Sequence, residues 1–580
     1  MMTYTREKNT QLLISLLKQH GVRYVVASPG NTNTAFIGSI QGDQYFTIFS
    51  AVDERSAAYM ACGIAAETGE TVVISCTGAT ASRNYLPGMT EAYYRKLPVI
   101  AVTSSQPIAN IGHLSAQLLD RTVIPKDVAK LSVNLPIVKD NDDVWECEIK
   151  INQAILESCR HGGGPVHINL PTTFTKPFDV NKIQHARLIN RVTIDDQFPL
   201  LEDKKVAIFI GSHKKMSKDV ESLIDRFCEE NNSVVFCDHT SAYKGKYRVH
   251  YSLVSGQEYN SIITERPDIL IHFGEVTGDY YNLKIAAKEQ VWRVSDDGEI
   301  RDSFRKLRYV FEMSLNSFFL NYVGHGTEIN ISYYETCKAK LDQVRNNIPE
   351  IPFSNIWAAS QVSSKLPDHS VIHFGILNSL RSWNFFDIPD TVTSDSNVGG
   401  FGIDGNMSSL IGASLTNPEK LYFLVNGDLA FFYDLNVLGN RHVGANIRIL
   451  LVNNGKGTEF RQYNHHANYF GEDTDKYIAA AGHFGNKSKS LVKCFVENLG
   501  FEYICASDKQ EFLFQIDRFV TKNVQDRPMV FEIFTNSNDE SCALEKMLSI
   551  DIDKKIVRKN KVKSVVGTSV ISSVKKILGS

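Results

Sequence analysis

Paired cysteines, long apolar runs and a surplus of either charge are all missing from this 580-residue chain. Its 10 cysteines lie singly between Cys62 and Cys542, with no Cys-x-x-Cys pair. That pattern excludes a zinc ribbon or a disulfide framework and predicts reduced thiols in a cytoplasmic protein. No stretch reaches the roughly 18 apolar residues of a membrane-spanning helix. Residues 1–21 place Arg6, Glu7 and Lys8 ahead of a short amphipathic segment, unlike a secretory signal. Lys plus Arg number 62 against 65 Asp plus Glu, a formal charge of −3, which argues against nucleic acid as a partner. What is present, 43% hydrophobic and 22% charged residues, suits large globular cores, and the length allows three or four domains at about 150 residues each.

Short apolar runs alternate with helical patterns. Strands are expected at 24–27, 46–52, 71–76 and 99–103, with helices at 56–68 and near 87–95, and a further strand within 162–171 closes this unit. Such alternation predicts an α/β fold of doubly wound parallel sheets. The boundaries predicted are a first domain at 1–180, a polar linker over about 173–201, a central domain at 200–330 and a third domain at 350–550. The central domain opens with the strand 205–211. A polar helix at 333–347 leads to third-domain strands at 371–374, 421–425, 447–452 and 528–534. The first and third units share a rhythm without enough identity to be called a repeat. Residues 551–580 differ, carrying a net +6 while the other 550 sum to −9. Val562, Val566, Val570, Val574 and Leu578 recur every four positions there. This tail reads as a solvated extension or as a basic amphipathic helix making weak contact with an anionic membrane surface.

Three segments carry chemistry. Gly427-Asp428-Leu429 follows one predicted strand and Asn453-Asn454 follows the next. Asp428 and Asn454 would therefore sit at the carboxyl ends of neighbouring parallel strands, where open α/β sheets bind ligands. Their carboxylate and carboxamide oxygens suit Mg²⁺, and the helix opening after Asp428 suits a diphosphate. Asp53-Glu54-Arg55 ends the second strand and enters an alanine-rich helix; Glu54 is then a candidate proton-transfer group, or one member of a helix-capping pair. Asn397-Val398-Gly399-Gly400-Phe401-Gly402-Ile403-Asp404-Gly405-Asn406 has four glycines, which permit close backbone approach to a flat ligand or simply make a flexible loop.

Together these residues resemble the thiamine diphosphate enzymes over nearly the whole chain, most closely the menaquinone-pathway synthase branch, with acetohydroxyacid synthases more distant. The resemblance rests on Ser28-Pro29-Gly30, Asp53-Glu54-Arg55, Gly402-Ile403-Asp404-Gly405 and Gly427-Asp428-Leu429 followed by Tyr433-Asp434-Leu435-Asn436. It implies a pyrimidine-binding first domain, a central domain and a diphosphate-binding third domain. Thiamine diphosphate and Mg²⁺ would be the cofactors. Glu54 would hydrogen-bond the aminopyrimidine as the catalytic residue, with Thr77 and Gly78 lining its pocket. Gly402, Ile403, Gly427 and Leu429 would contact the cofactor, Ile403 lying between its two rings. Asn378 and Ser379 would reach the diphosphate. Asp428, Asn454 and the carbonyl of Lys456 would hold the metal. The implied reaction is decarboxylation of a 2-oxo acid with acyl transfer to a carbonyl acceptor, in a homodimer or homotetramer with active sites at the subunit interface. No flavin is expected.

The sequence departs from that branch in its charged residues. Where the branch places arginines, this chain has Asn31-Thr32-Asn33, Ser105-Gln106-Pro107 and Asn397-Val398-Gly399, and a further arginine falls near Arg381. Each charge-assisted contact contributes about 1.5–3 kcal/mol, so losing three or four predicts a different substrate pair. Asn31, Thr32, Gln106, His113 and Gln117 are the predicted substrate-binding residues. They suit a hydroxyl-rich acceptor such as a keto-sugar, with pyruvate as donor. Arg461 is a further candidate for a carboxylate, and Glu459 replaces an apolar residue. The alternatives are a divergent synthase joining 2-oxoglutarate to isochorismate, an acetolactate synthase, or a non-catalytic binding subunit of the same fold. The joint presence of Glu54 and the metal pair argues against the last.

Overall fold

The computed structural model describes residues 3–201, 204–258, 266–285, 287–324, 329–483 and 487–552. Two compact units emerge, 1–197 with 297–312 and 198–296 with 313–580. The predicted basic tail lies outside the described residues except for Asp551 and Ile552.

In the first unit, α1 (Lys8–Gln19) packs its leucines into the core ahead of β1 (Tyr24–Ala27). Then come β2 (Thr47–Ser50), α2 (Glu54–Thr68), β3 (Val72–Thr77), β4 (Val99–Ser105), β5 (Leu131–Asn134), α3 (Asn141–Cys159) and β6 (Val166–Pro171). The six strands are parallel and ordered β2-β1-β3-β4-β6-β5. Central strands β3, β4 and β6 are buried almost throughout because helices cover both faces. The strand expected within 162–171 is β6, the last of the six in sequence, and it pairs on its outer side with a strand not expected, β5. That edge strand, four residues of Leu-Ser-Val-Asn, is too short and polar to stand out in sequence. The expected linker also differs. Phe178–Val180 pairs antiparallel with Tyr4–Thr5, and Asn190–Val192 pairs in parallel with Leu307–Glu312. These pieces are too short for a periodic signal and take their conformation from their partners.

In the second unit, β7 (Val206–Ile210), β8 (Val234–Cys237), β9 (Arg248–Val249), β10 (Ile269–Phe273) and β11 (Gln290–Ser295) run parallel in the order β9-β8-β7-β10-β11. After α4 (Ser332–Asn346), a six-stranded parallel sheet forms from β12 (Val371–Phe374), β13 (Thr393–Ser396), β14 (Tyr422–Gly427), β15 (Ile447–Asn453), β16 (Glu502–Ala506) and β17 (Met529–Phe534). Its order, β13-β12-β14-β15-β17-β16, repeats that of the first unit strand for strand. The repeat absent from the sequence is present in the topology. Among the described residues, no helix is long and apolar enough to cross a membrane.

Candidate active site

In a sheet of this order, chain direction reverses beside the first strand, so a crevice opens at the carboxyl ends of the first and third strands. In the C-terminal sheet those ends carry Gly375 to Asn378, which enter α5 (Asn378–Trp383), and Gly427-Asp428, which enter α7 (Asp428–Tyr433). Between them comes the glycine-rich run, followed by α6 (Asn406–Ser414). The next strand, β15, ends at Asn453, so Asp428 and Asn454 follow directly hydrogen-bonded parallel neighbours. A Cβ on Gly375 would stand 2.7 Å from Asn426 Oδ1, so only glycine fits there. Leu377 is held at φ 67°, a strained backbone of the kind that clusters at functional sites.

Asp428 is 2% exposed. Burial pushes its carboxyl up to about 7, despite hydrogen bonds from the backbone N–H groups of Leu429 and Gly455. Its Oδ2 and the Oδ1 of Asn454 are buried without a hydrogen-bond partner among the described residues. Two orphaned oxygens on adjacent strand ends, one of them an unfavourably desolvated carboxylate, form a donor set that a divalent cation would satisfy. The residues fit Mg²⁺. The Lys456 carbonyl lies within the same turn, with Thr458 Oγ1 at 3.5 Å, while its ammonium pairs with Asp475 at 2.5 Å. Gly402 and Ile403 are half-buried, and the Ile403 carbonyl accepts from Asn406 Nδ2 at 3.3 Å. Asn406 Nδ2 also donates to Asn426 Oδ1 on β14, at 3.2 Å. Ser379 is buried. The Asn378 carboxamide is held by Glu459, donating to Oε2 at 2.8 Å and accepting from its backbone N–H at 3.0 Å. Arg461 hydrogen-bonds the Gly471 carbonyl and lies 3.7 Å from Asp475, so it braces its own loop.

The first unit shows the same strand-end geometry with different chemistry. A methyl on Gly30 would overlap Thr77 Cγ2, which brings the ends of β1 and β3 into contact. Asp53 caps α2, its Oδ1 accepting from Ser56 N at 3.1 Å. The capping role falls to Asp53, and Glu54 is left half-buried with no hydrogen bond or ion pair among the described residues. Thr32 is buried with its hydroxyl donating to the Ser104 carbonyl at 2.7 Å, while Asn31 is exposed. Gln106 Nε2 donates to the Ala116 carbonyl at 3.1 Å; His113 and Gln117 are exposed on the same loop, Gln117 at φ 60°.

Sequence reasoning missed Arg121. It is 5% exposed, donates from Nε to Asn169 Oδ1 at 3.1 Å, and hydrogen-bonds the Gly78 carbonyl. Burial lowers it to about 10. A lone arginine in an irregular loop offers no periodicity, and only the fold carries it to Gly78. The Arg381–Glu459 ion pair (2.5 Å) was missed likewise, because its members lie 78 residues apart.

This fold and this pair of oxygen ligands define an α/β enzyme that holds thiamine diphosphate with a divalent metal. Residues 8–124 match the thiamine pyrophosphate enzyme family's N-terminal TPP-binding domain. The chain is 30% identical over 570 residues to a 2-succinyl-5-enolpyruvyl-6-hydroxy-3-cyclohexene-1-carboxylate synthase of Bacteroides fragilis, with 93% of this chain and 98% of the relative covered. Synthases of the same name from Phocaeicola vulgatus and Bacteroides thetaiotaomicron are 28% and 29% identical at the same coverage. The chain belongs to the thiamine diphosphate-dependent enzymes, in the branch these synthases represent. It is a decarboxylating carboligase, a transferase of aldehyde or ketone residues that acts on small molecules.

Proposed function

We propose that the enzyme decarboxylates a 2-oxo acid of the pyruvate type and transfers its acyl group to a hydroxyl-rich carbonyl acceptor such as a keto-sugar. The reading is carried by the first unit's strand-end loops, where Asn31, Gln106, His113 and Gln117 are half-buried or exposed and none is an arginine. Thiamine diphosphate, when bound, supplies the nucleophilic carbon and the electron sink for loss of CO₂. Glu54 has no hydrogen bond or ion pair among the described residues and would hold a proton at the aminopyrimidine. Thr77 and Gly78 line that ring's pocket. Asp428, Asn454 and the Lys456 carbonyl hold Mg²⁺ against the diphosphate; Gly402, Ile403, Gly427, Leu429, Asn378 and Ser379 surround the cofactor.

On this reading residues 1–180 bind the pyrimidine, 350–550 bind the diphosphate, and 200–330 form the central domain. The enzyme is a homodimer or homotetramer in which Glu54 of one subunit serves the metal site of another. It works in the cytoplasm, in keeping with ten free thiols. A second reading, the reaction of the similar synthases, is favoured by the 30% identity and by Arg121, a buried cation beside Gly78 suited to a carboxylate. A screen of 2-oxo acids for CO₂ release, with Mg²⁺ and thiamine diphosphate and with or without candidate acceptors, decides. Turnover of pyruvate with a keto-sugar supports the first reading. Turnover confined to 2-oxoglutarate with isochorismate replaces it with the second.

A further inference from the structure

Arg381 stands on α5 after β12, and Glu459 stands in the short helix Thr458–Arg461 after β15. Strand β14, which Asp428 follows, runs between β12 and β15. The ion pair therefore joins, at the crevice mouth, the segments that follow the two strands flanking β14. Glu459 is fixed at both oxygens, Oε1 by Arg381 Nη1 at 2.5 Å and Oε2 by Asn378 at 2.8 Å. The guanidinium is capped on its face by the Tyr280 ring, 4.5 Å away, which in turn stacks on Phe401 of the glycine-rich run at 5.7 Å. Arg381 and Glu459 side chains are only 12% and 16% exposed. Neither charge is dissipated by water, and each is balanced chiefly by the other.

Two other cations near this mouth are engaged as well. Lys456 pairs with Asp475 at 2.5 Å, and Arg461 lies 3.7 Å from the same residue. Only Nη1 of Arg381 is engaged, while its Nε and Nη2 are buried without a hydrogen-bond partner among the described residues. A substrate carboxylate approaching it would therefore meet a guanidinium whose charge, though not its donors, is balanced by the fixed carboxylate of Glu459. Like charges in a water-poor site repel strongly, whereas an uncharged side chain pays no such penalty.

We propose that Glu459 sets the donor range: by balancing the charge of Arg381 at the crevice mouth with its own carboxylate, it turns away 2-oxo acids bearing a second carboxylate and admits those with an uncharged side chain. The proposal rests on the functional reading above for the position of the donor, and it identifies one residue as the specificity determinant.

The test uses the full-length protein loaded with Mg²⁺ and thiamine diphosphate. Glu459→Gln keeps the shape and removes the charge; Glu459→Leu serves as a second variant should the first melt early. Calorimetric titration with glutarate, an unreactive dicarboxylate, is expected to show no binding to wild type and clear binding to Glu459→Gln. Adding Arg381→Gln to that variant should abolish the binding again. The ratio of kcat/KM for 2-oxoglutarate over pyruvate should rise at least about tenfold in Glu459→Gln, the scale of one charged hydrogen bond. Glutarate binding by wild type, or none by either Glu459 variant, would overturn the proposal. A wild-type protein that releases CO₂ from neither acid would instead sink the functional reading, because the glutarate titration needs no turnover.

Discussion

The two six-stranded sheets share one strand order but carry opposite chemistry at equivalent places. After its third strand the N-terminal sheet has Thr77-Gly78, and the C-terminal sheet has Gly427-Asp428. Gly78 is crowded: an added Cβ would lie 2.7 Å from Arg121 Nη1 and 2.9 Å from the Ser104 carbonyl. A Cβ on Gly427 would meet nothing within 4 Å. One sheet is crowded by a cation at its strand end, with a carboxylate unengaged among the described residues on the helix after its second strand; the other keeps open room beside buried oxygens that have no hydrogen-bond partner among the described residues. Topology supplies a crevice twice, and the residues at the strand ends decide what each one holds.

The sharpest way to break this comparison is to disable each half separately. Glu54→Gln is expected to lower CO₂ release by roughly 10²–10⁴-fold, the usual weight of a proton-transfer group, while calorimetry still shows cofactor binding. Asp428→Asn should do the reverse, weakening Mg²⁺ by more than the roughly 10–100-fold typical of residues that merely support a ligand. If both variants lose only rate, the division of labour is wrong.

The two units also bury histidines of opposite character. In the first unit, His167 lies between Thr103 Oγ1 (2.6 Å) and Ser132 Oγ (2.9 Å), and burial, helped by Arg121, drops it to about 3. Unfolded histidine titrates near 6.5. Its contribution is therefore present above pH 6.5 and lost as the pH falls toward 3. In the second unit, burial opposes the charging of His250, yet Asp387 at 2.9 Å and Cys237 hold it up to about 9. Arg345 shares Asp387, and His239 packs against the ring. This contribution is present below pH 6.5 and lost as the pH rises through 9. Melting curves of the full chain should lose their acid limb in His167→Gln and their alkaline limb in His250→Gln. Identical curves for the two variants would refute the contrast.

The smallest expected effect compares the two glycines. Gly78→Ala should destabilise by about 1–3 kcal/mol, as overpacking does. Gly427→Ala should stay within about 0.5 kcal/mol, both read by urea unfolding of the cofactor-free protein. Equal costs would mean that Gly427 is as confined as Gly78.

Much of this architecture is legible in the residues themselves. Apolar runs such as Val371–Phe374 and Ile447–Asn453 are strands because β-branched and aromatic side chains covered on both faces leave no other economical conformation. The Asp428 and Asn454 positions follow from two such runs. Less visible were β5 and the short pairings at 178–180 and 190–192, whose two to four residues acquire order from partners far away in sequence. The expectation that charged groups had left the crevice accounts for Asn31 and Gln106 but not for Arg121, which a loop delivers to Gly78.

Local periodicity thus determined the parallel α/β class, the helix that Glu54 opens and the two oxygen donors after successive strands, since each depends on residues a few positions apart. Only tertiary structure decided that the first and third sheets share a strand order, that Arg121 backs Gly78, and that Glu459 claims Arg381 and Asn378. Those outcomes depend on crossovers and on polar and charged groups meeting across 43 to 81 residues of chain. No window of sequence records such pairings, because their free energy appears only once burial removes the competing water.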